Sequence, residues 1–208
     1  DYYDMFLNRN IRLTRANAQF RGGNNTSRYF AHVGYQGNGG LEKFTRYPNS
    51  DDIFTVRTSV DMDLADFITF SAGFNGALQN KSWPNISTQN FFSPLNAHHA
   101  NDYPILIPGS LVGKPDKEFV LGGTAEKQNN PYGLLTQRGY SERKYTYVQS
   151  DFQLNLNMEK WVPGLSVKPY VSFDVYNVVT AAQGATFSVY EPVAGVSGIT
   201  GNDTITFL

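Results

Sequence analysis

The feature that most constrains this chain is a polar/apolar alternation sustained over more residues than an ordinary sheet strand contains. From Ile53 to Leu64, the residues Phe54, Val56, Thr58, Val60, Met62 and Leu64 are apolar or carry a methyl group, while Thr55, Arg57, Ser59, Asp61 and Asp63 between them are polar. A period of two is the signature of a strand with one face in each of two environments. The pattern returns from Phe67 to Gln79, from Tyr145 to Glu159 and from Leu165 to Asn177. In the run from Tyr145, Val148, Phe152, Leu154, Leu156 and Met158 share one face, and Gln149, Asp151, Gln153, Asn155 and Asn157 the other. Globular strands usually span about 5 to 6 residues. These runs fit instead a tilted membrane-spanning strand of about 9 to 11 residues with extensions beyond the bilayer. The expected fold is all-β, the wall of an antiparallel transmembrane β-barrel.

Composition agrees with a wall that meets lipid. Charged residues make up only 17% of the chain, against roughly 25% in a typical soluble domain. Aromatics reach 14%, with 13 Tyr and 15 Phe, as an apolar band bordered by aromatic girdles requires. A secreted β-sandwich has similar numbers. No stretch approaches the roughly 18 apolar residues of a transmembrane helix, so a membrane role has to come from strands. The chain has no Cys, which rules out disulfide staples and thiolate metal sites. A net charge of −1 without a basic run argues against nucleic acid as a partner. Asp1 is a poor start for a secreted precursor, and no signal peptide follows it, so the chain reads as processed or excerpted.

Six spanning strands and the start of another are expected: Arg12 to Arg21, Arg28 to Gln36, Ile53 to Leu64, Phe67 to Gln79, Tyr145 to Met158, Leu165 to Asn177, and then Ala185 to Tyr190. Short connections (Gly22 to Ser27, Ala65-Asp66, Glu159 to Gly164) carry the Gly, Asn, Asp and Pro-Gly of tight turns. The others are long, Gly37 to Asp52 and Asn80 to Lys144. Short turns on one side and long loops on the other are the layout of outer-membrane barrels, which places the 80–144 connection outside the cell. Asp1 to Leu7 suggests a helical turn or two, and Asn85 to His99 a short helix limited by its prolines. Pro169 lacks a ladder donor and suggests a bulge or irregularity in the sixth strand. A single-chain barrel needs about eight strands to close, so this chain is expected to be a fragment, of about six to seven strands, of a larger barrel.

The segments Asn17-Ala18-Gln19-Phe20-Arg21-Gly22-Gly23 and Ser27-Arg28-Tyr29-Phe30-Ala31-His32-Val33-Gly34-Tyr35 resemble the early barrel of SusC/RagA-type TonB-dependent outer-membrane transporters of Bacteroidota. Asp4-Met5-Phe6, Asn130-Pro131-Tyr132-Gly133 with Gly139-Tyr140, Gly164-Leu165-Ser166-Val167-Lys168 and Val171-Ser172-Phe173-Asp174 extend the likeness in order along the chain. The resemblance implies a barrel of about 22 strands closed by an N-terminal plug, of which this chain covers roughly the second to the eighth. It implies a place in the bacterial cell outer membrane. It also implies a SusD-like lipoprotein partner that captures a glycan or peptide, and energy delivered by TonB through a plug region not in this chain. No cofactor follows from it.

Candidate chemistry is weighed against plainer roles. His98-His99 with Asp102 lacks a third ligand at a recognisable spacing, so no metal is expected. Asp61 and Asp63 share a strand face, but paired carboxylates of a glycosidase are less apt here than the polar inward residues of a wet lumen. No catalytic residue, and no enzyme, is expected. Arg57, Asp61, Asp63, Lys168 and Asp174 are expected to face the lumen or plug, with Arg57, Lys168 and Asp174 pairing with one another or with the plug. Trp83, Phe91, Phe92 and Tyr103 in the long loop present rings suited to sugar C–H faces, or else pack on one another. The leading expectation is a transporter wall that admits a bulky nutrient. A transporter-like barrel used as a scaffold for surface complexes is a different class, and a soluble carbohydrate-binding sandwich a further one.

Overall fold

The computed structural model describes residues 2–99, 102–112, 114–190, 192–194 and 205–207. In chain order the elements are α1 (Tyr2–Phe6), β1 (Leu13–Gly23), β2 (Ser27–Gly39), β3 (Ser50–Ala65), β4 (Ile68–Pro84), α2 (Thr88–Ala97), β5 (Leu106–Pro108), a 3-10 turn (Gly109–Val112), β6 (Phe119–Leu121), α3 (Pro131–Thr136), β7 (Gly139–Asn157), β8 (Ser166–Val167), β9 (Tyr170–Gly184), β10 (Pro192–Ala194) and β11 (Ile205–Phe207). The dominant unit is a 7-stranded antiparallel sheet in the order β1-β2-β3-β4-β7, with β8 and β9 both pairing with β7. Pairs β5-β6 and β10-β11 form separate small sheets.

Directly opposed residues in an antiparallel ladder share a face, so the registers sort every side chain. One row runs Val33, Val56, Gly76, Val148, Val175, and another Tyr29, Val60, Ala72, Phe152, Val171. Between such rows, on the opposite face, run Gln19, His32, Arg57, Asn75, Gln149, Asp174 and then Arg28, Asp61, Ser71, Gln153, Tyr170. The alternation read from the sequence thus assembles into one apolar and one polar face, in constant register between β3 and β4 from Ser50 to Asp63. From Ile68 to Leu78 the apolar face of β4 covers roughly 33 Å at about 3.3 Å per residue. At the tilt of about 40° usual for membrane barrels this is a band about 25 Å tall, the height found in outer-membrane walls.

Short turns close one end. Asn24 organises the β1–β2 connection through its side-chain oxygen, which accepts from the backbone N–H of Thr26 (2.9 Å) and of Ser27 (2.8 Å), an Asx-type turn. The β3–β4 ladder shifts register between Asp63 and Ala65 before its two-residue turn. After β7, Gly164 takes φ +78, the left-handed conformation that a Pro-Gly turn needs at its second position.

Several expectations are corrected. Ala185 to Tyr190 is not a strand: β9 ends at Gly184, and only Tyr190 makes a bridge, parallel to Gly122. The backbone there is drawn onto the loop, with the Ala185 N–H donating to the Arg138 carbonyl and the Tyr190 N–H to that of Leu121. The 80–144 connection is shorter than its expected bounds, because β4 continues to Pro84 and β7 begins at Gly139. The sixth strand is split into β8 and β9 around Lys168 and Pro169, yet Leu156 opposite Val167 and Phe152 opposite Val171 show the same register on both sides. The Leu154 N–H still donates to the Pro169 carbonyl. Only the reciprocal bond, which proline cannot give, is lost. The expected short helix in 85–99 is α2, capped by the Ser87 hydroxyl on the Asn90 N–H. The N-terminal turn is α1, with Asp1 outside the described residues.

The buried core does not lie behind the sheet. The buried apolar side chains Phe6, Phe91, Leu95, Tyr103, Ile107, Val120, Leu121, Leu134 and Leu135 all belong to α1 or to the 85–138 connection. Phe6, Phe91, Leu95 and Leu135 form one cluster, with Tyr2, Leu7, Ile86 and Tyr132 packed around it. On the sheet, Phe54, Phe74, Leu78, Phe152, Val171 and Phe173 are exposed. Total accessible surface is 13983 Å² for 23.2 kDa, whereas a compact monomer of that mass exposes roughly 9,700 Å². Among the described residues β1 and β9 are open edges, each pairing on one side only.

Candidate functional site

The site follows from what happens to the strands above the apolar band. There β3, β4 and β7 continue with polar residues on both faces: Ser50, Asp51 and Asp52 on β3, Asn80, Lys81 and Ser82 on β4, and Glu142, Arg143 and Lys144 on β7. On the polar face the register places Asp51, Lys81, Arg143 and Thr180 in one row, next to Gln79 and Tyr145 in the row below. Their side chains interlock. Lys81 Nζ lies 3.6 Å from an Asp51 oxygen and 5.9 Å from the Tyr145 ring centre. Gln79 Nε2 donates to the other Asp51 oxygen at 2.6 Å. The Arg143 guanidinium stands 5.7 Å over the Trp83 ring and donates to Thr180 Oγ1 and the Tyr145 hydroxyl, both at 3.3 Å.

Helix α2 and the 40–49 connection border a half-open cavity of about 510 Å³ beside this cluster, lined by Glu42, Asn49, Lys81, Trp83, Arg143 and Tyr145 together with Thr88, Phe91 and Phe92 of α2. Its lining charges are Glu42, Lys81 and Arg143, and Lys81 is paired with Asp51 outside the lining. Glu42 Oε2 is buried and has no hydrogen-bond partner among the described residues.

The expected contact aromatics divide. Trp83 and Phe92 line the cavity. Phe91, 2% exposed, lines it too but is committed to the loop core, and Tyr103, 3% exposed, is buried away from it. The Tyr103 hydroxyl and His98 Nδ1 share a hydrogen bond. The Asp102 carboxylate takes the Lys127 ammonium and the His99 backbone N–H. This clasp absorbs the His98-His99-Asp102 group. Burial pushes the Tyr103 hydroxyl well above its ordinary value. Burial, with Lys127 nearby, holds His98 below its ordinary value. The hydrogen bond from Lys127 holds Asp102 low.

The expected lumen residues share the polar face but do not gather. Asp61 accepts from Ser71 Oγ at 2.6 Å and Asp63 from Thr69 Oγ1 at 2.9 Å. Arg57 and Asp174 stand in the same row with Asn75 and Gln149 between them, three strand spacings or roughly 14 Å apart. They make no pair with each other. Lys168 sits in the break between β8 and β9, exposed.

Sequence reasoning missed Glu42, Asn49, Lys81, Arg143 and Tyr145 as a set. Strand parity carried a signal for three of them, since Lys81, Arg143 and Tyr145 continue the odd-numbered polar face of β4 and β7. It also missed Asn130, fully buried at the start of α3. Asn130 Nδ2 donates to the carbonyls of Ile105 and Gly122, both at 2.8 Å, and its Oδ1 accepts from the Tyr132 and Gly133 N–H groups at 2.9 and 3.1 Å. Comparison with protein-family models, with curated proteins and with solved structures gives no match.

Proposed function

We propose that this chain is a length of the wall of an outer-membrane β-barrel of the TonB-dependent, SusC/RagA-like transporter class, which imports a glycan or peptide delivered by a SusD-like surface lipoprotein. The observation that carries the reading is the 7-stranded sheet with one continuous apolar face about 25 Å tall and, among the described residues, no buried apolar core behind that face. In water such a face would be an uncovered patch far above what soluble monomers expose. In a bilayer it is the lipid contact. The polar face lines a lumen, and the open edges β1 and β9 pair with further strands of the same barrel. The 85–138 connection caps the mouth from outside the cell. A soluble sandwich fits poorly, because it needs two sheets whose apolar faces meet.

Fractionation and co-purification test this. The full-length protein should sediment with outer membranes, require detergent for extraction and bring a surface lipoprotein with it. Recovery in the soluble fraction, or as a monodisperse monomer melting cooperatively in plain buffer, would contradict the barrel. A detergent-dependent barrel that supports surface complexes without uptake would favour the scaffold.

A further inference from the structure

We infer that the lipid face of the wall carries a binding site for a lipid with a phosphoethanolamine headgroup, its phosphate on Arg12, its ammonium on Asp52 and an acyl chain in a notch beneath them. The inference rests on the barrel reading and goes beyond it by selecting one class of lipid. Strand parity places the site. Gly37, Asp52 and Asn80 share a row two residues above that of Tyr35, Phe54 and Leu78, where the apolar band ends. At about 3.3 Å per residue and a tilt of about 40° this row stands about 5 Å higher, inside the headgroup layer of roughly 5 to 7 Å that borders the hydrocarbon. Arg12 belongs to the next outward row: its carbonyl accepts from the Gly39 N–H at 2.8 Å, and a Cβ on Gly39 would lie 3.5 Å from the Arg12 Cβ.

At this height the outward face holds a pocket of about 240 Å³ whose lining includes Arg12, Thr14, Tyr35, Gly37, Ser50 and Asp52. The Tyr35 hydroxyl donates to Asp52 Oδ1 at 2.7 Å. The missing side chain at Gly37 leaves room for that bond, since a Cβ there would lie 2.6 Å from the hydroxyl and 2.9 Å from the Asp52 oxygen. Among the described residues Arg12 makes no ion pair with Asp52 or with any other carboxylate. A cation without an ion-pair partner and a carboxylate held in place thus share one pocket, which matches a headgroup that carries both signs. The guanidinium fork suits a phosphate, and the carboxylate suits a primary ammonium with its three N–H donors. On β7 the same two rows carry Lys144 and Glu142, so the collar is balanced in charge and offers little to a purely anionic lipid. A quaternary ammonium has no N–H to give Asp52. Directly below, Phe54, Val56, Phe74, Gly76, Leu78 and Val148 line an apolar notch of about 180 Å³. Tyr35 and Phe54 are opposed in the ladder, so pocket and notch adjoin as headgroup and chain do in one lipid.

The test is native mass spectrometry of the full-length protein in detergent, titrated with phosphatidylethanolamine, phosphatidylcholine and phosphatidylglycerol of identical acyl chains. Phosphatidylethanolamine is expected to bind about tenfold tighter than either of the others, the effect of one hydrogen bond to a charged group. Asp52→Asn should bring it down to the level of phosphatidylcholine, and Arg12→Gln should weaken both, with Arg12→Lys restoring most of the loss. Gly76→Leu, which fills the notch, should weaken all three lipids alike, and Gln149→Ala, on the opposite face, should change nothing. Heat resistance in detergent should stay at the parent value in Asp52→Asn and Arg12→Gln, which separates lost binding from a folding defect. Equal binding of the three lipids, a preference for phosphatidylcholine or phosphatidylglycerol, a preference that survives Asp52→Asn and Arg12→Gln, or loss only where heat resistance also falls would overturn the inference. Extraction is read separately. A protein that needs detergent but does not select among lipids leaves the barrel reading standing, whereas one soluble in plain buffer removes both.

Discussion

Moving one positive charge between adjacent rows of the sheet should reveal which face meets lipid. Phe74 stands on the apolar face of β4, opposite Thr58 and Ser150, and is 39% exposed. It lies roughly 20 Å along the strand from Ile68 at about 3.3 Å per residue, or about 15 Å up a band about 25 Å tall at a tilt of about 40°. If the apolar face meets lipid as proposed, Phe74→Arg puts a guanidinium near the bilayer midplane, at a cost of about 2–4 kcal/mol. Leu78→Arg, on the same face at the upper limit of the band, should cost only about 0–1 kcal/mol. Gln149→Arg, one row away on the polar face and directly opposite Asp174, should stay within about 0.5 kcal/mol. Guanidinium unfolding midpoints of the full-length protein folded into phospholipid vesicles read all three. The difference between Phe74→Arg and Gln149→Arg should exceed about 1.4 kcal/mol, tenfold in the folding constant. Equal costs, or a larger cost for Gln149→Arg, would refute the assignment of faces.

Other consequences concern the cap. Asn130→Ala strands the Gly122 carbonyl and the Tyr132 and Gly133 N–H groups, leaves the Ile105 carbonyl only its bond from the Gly122 N–H, and should loosen the 85–138 segment by about 3 kcal/mol, seen as faster hydrogen exchange at Tyr132 and Gly133 with little change in the sheet. The closed cap holds His98 neutral, below its ordinary value of 6.5. As pH falls through that region the opened form binds the proton more readily, so the cap loses stability. The low Asp102 carboxylate adds a further loss only in more acidic solution, below its ordinary 3.8. Limited proteolysis within 85–138 should accelerate between about pH 7 and pH 5, and His98→Gln should flatten the dependence. A cap that tightens on acidification would contradict this.

The sheet was legible in the sequence because its two environments write a period of two into β3, β4 and β7. Where the environments stop differing, the signal stops as well. Above the band Asn80, Lys81 and Ser82 face Lys144, Arg143 and Glu142 with polar groups on both sides, so ladder that continues to Pro84 and Tyr140 reads as loop. The mouth cavity is built from that invisible stretch and from Glu42 and Asn49 in another connection, a long-range meeting that local patterning does not encode. Alternation also misled at Ala185 to Tyr190, where apolar residues serve the cap instead: Val189 lies against Gly123 and Phe187 against Gly133. Pro169 disturbed less than expected, since losing one bond from a two-bond pair leaves the flanking register intact. The aromatic content of the long loop was visible, but the division between Trp83, which lines the cavity, and Tyr103, which is buried, depended on tertiary packing.

The central claim, that the two faces of this sheet meet lipid and water, is tested most directly by nitroxide labels at Val60 and Asp61 in the full-length protein reconstituted into vesicles. These neighbours point to opposite faces, Val60 in the row of Tyr29 and Ala72 and Asp61 in that of Arg28 and Ser71. Collisional relaxation by oxygen is expected at Val60 and by a water-soluble nickel chelate at Asp61. Chelate access at Val60 with oxygen access at Asp61 would contradict it.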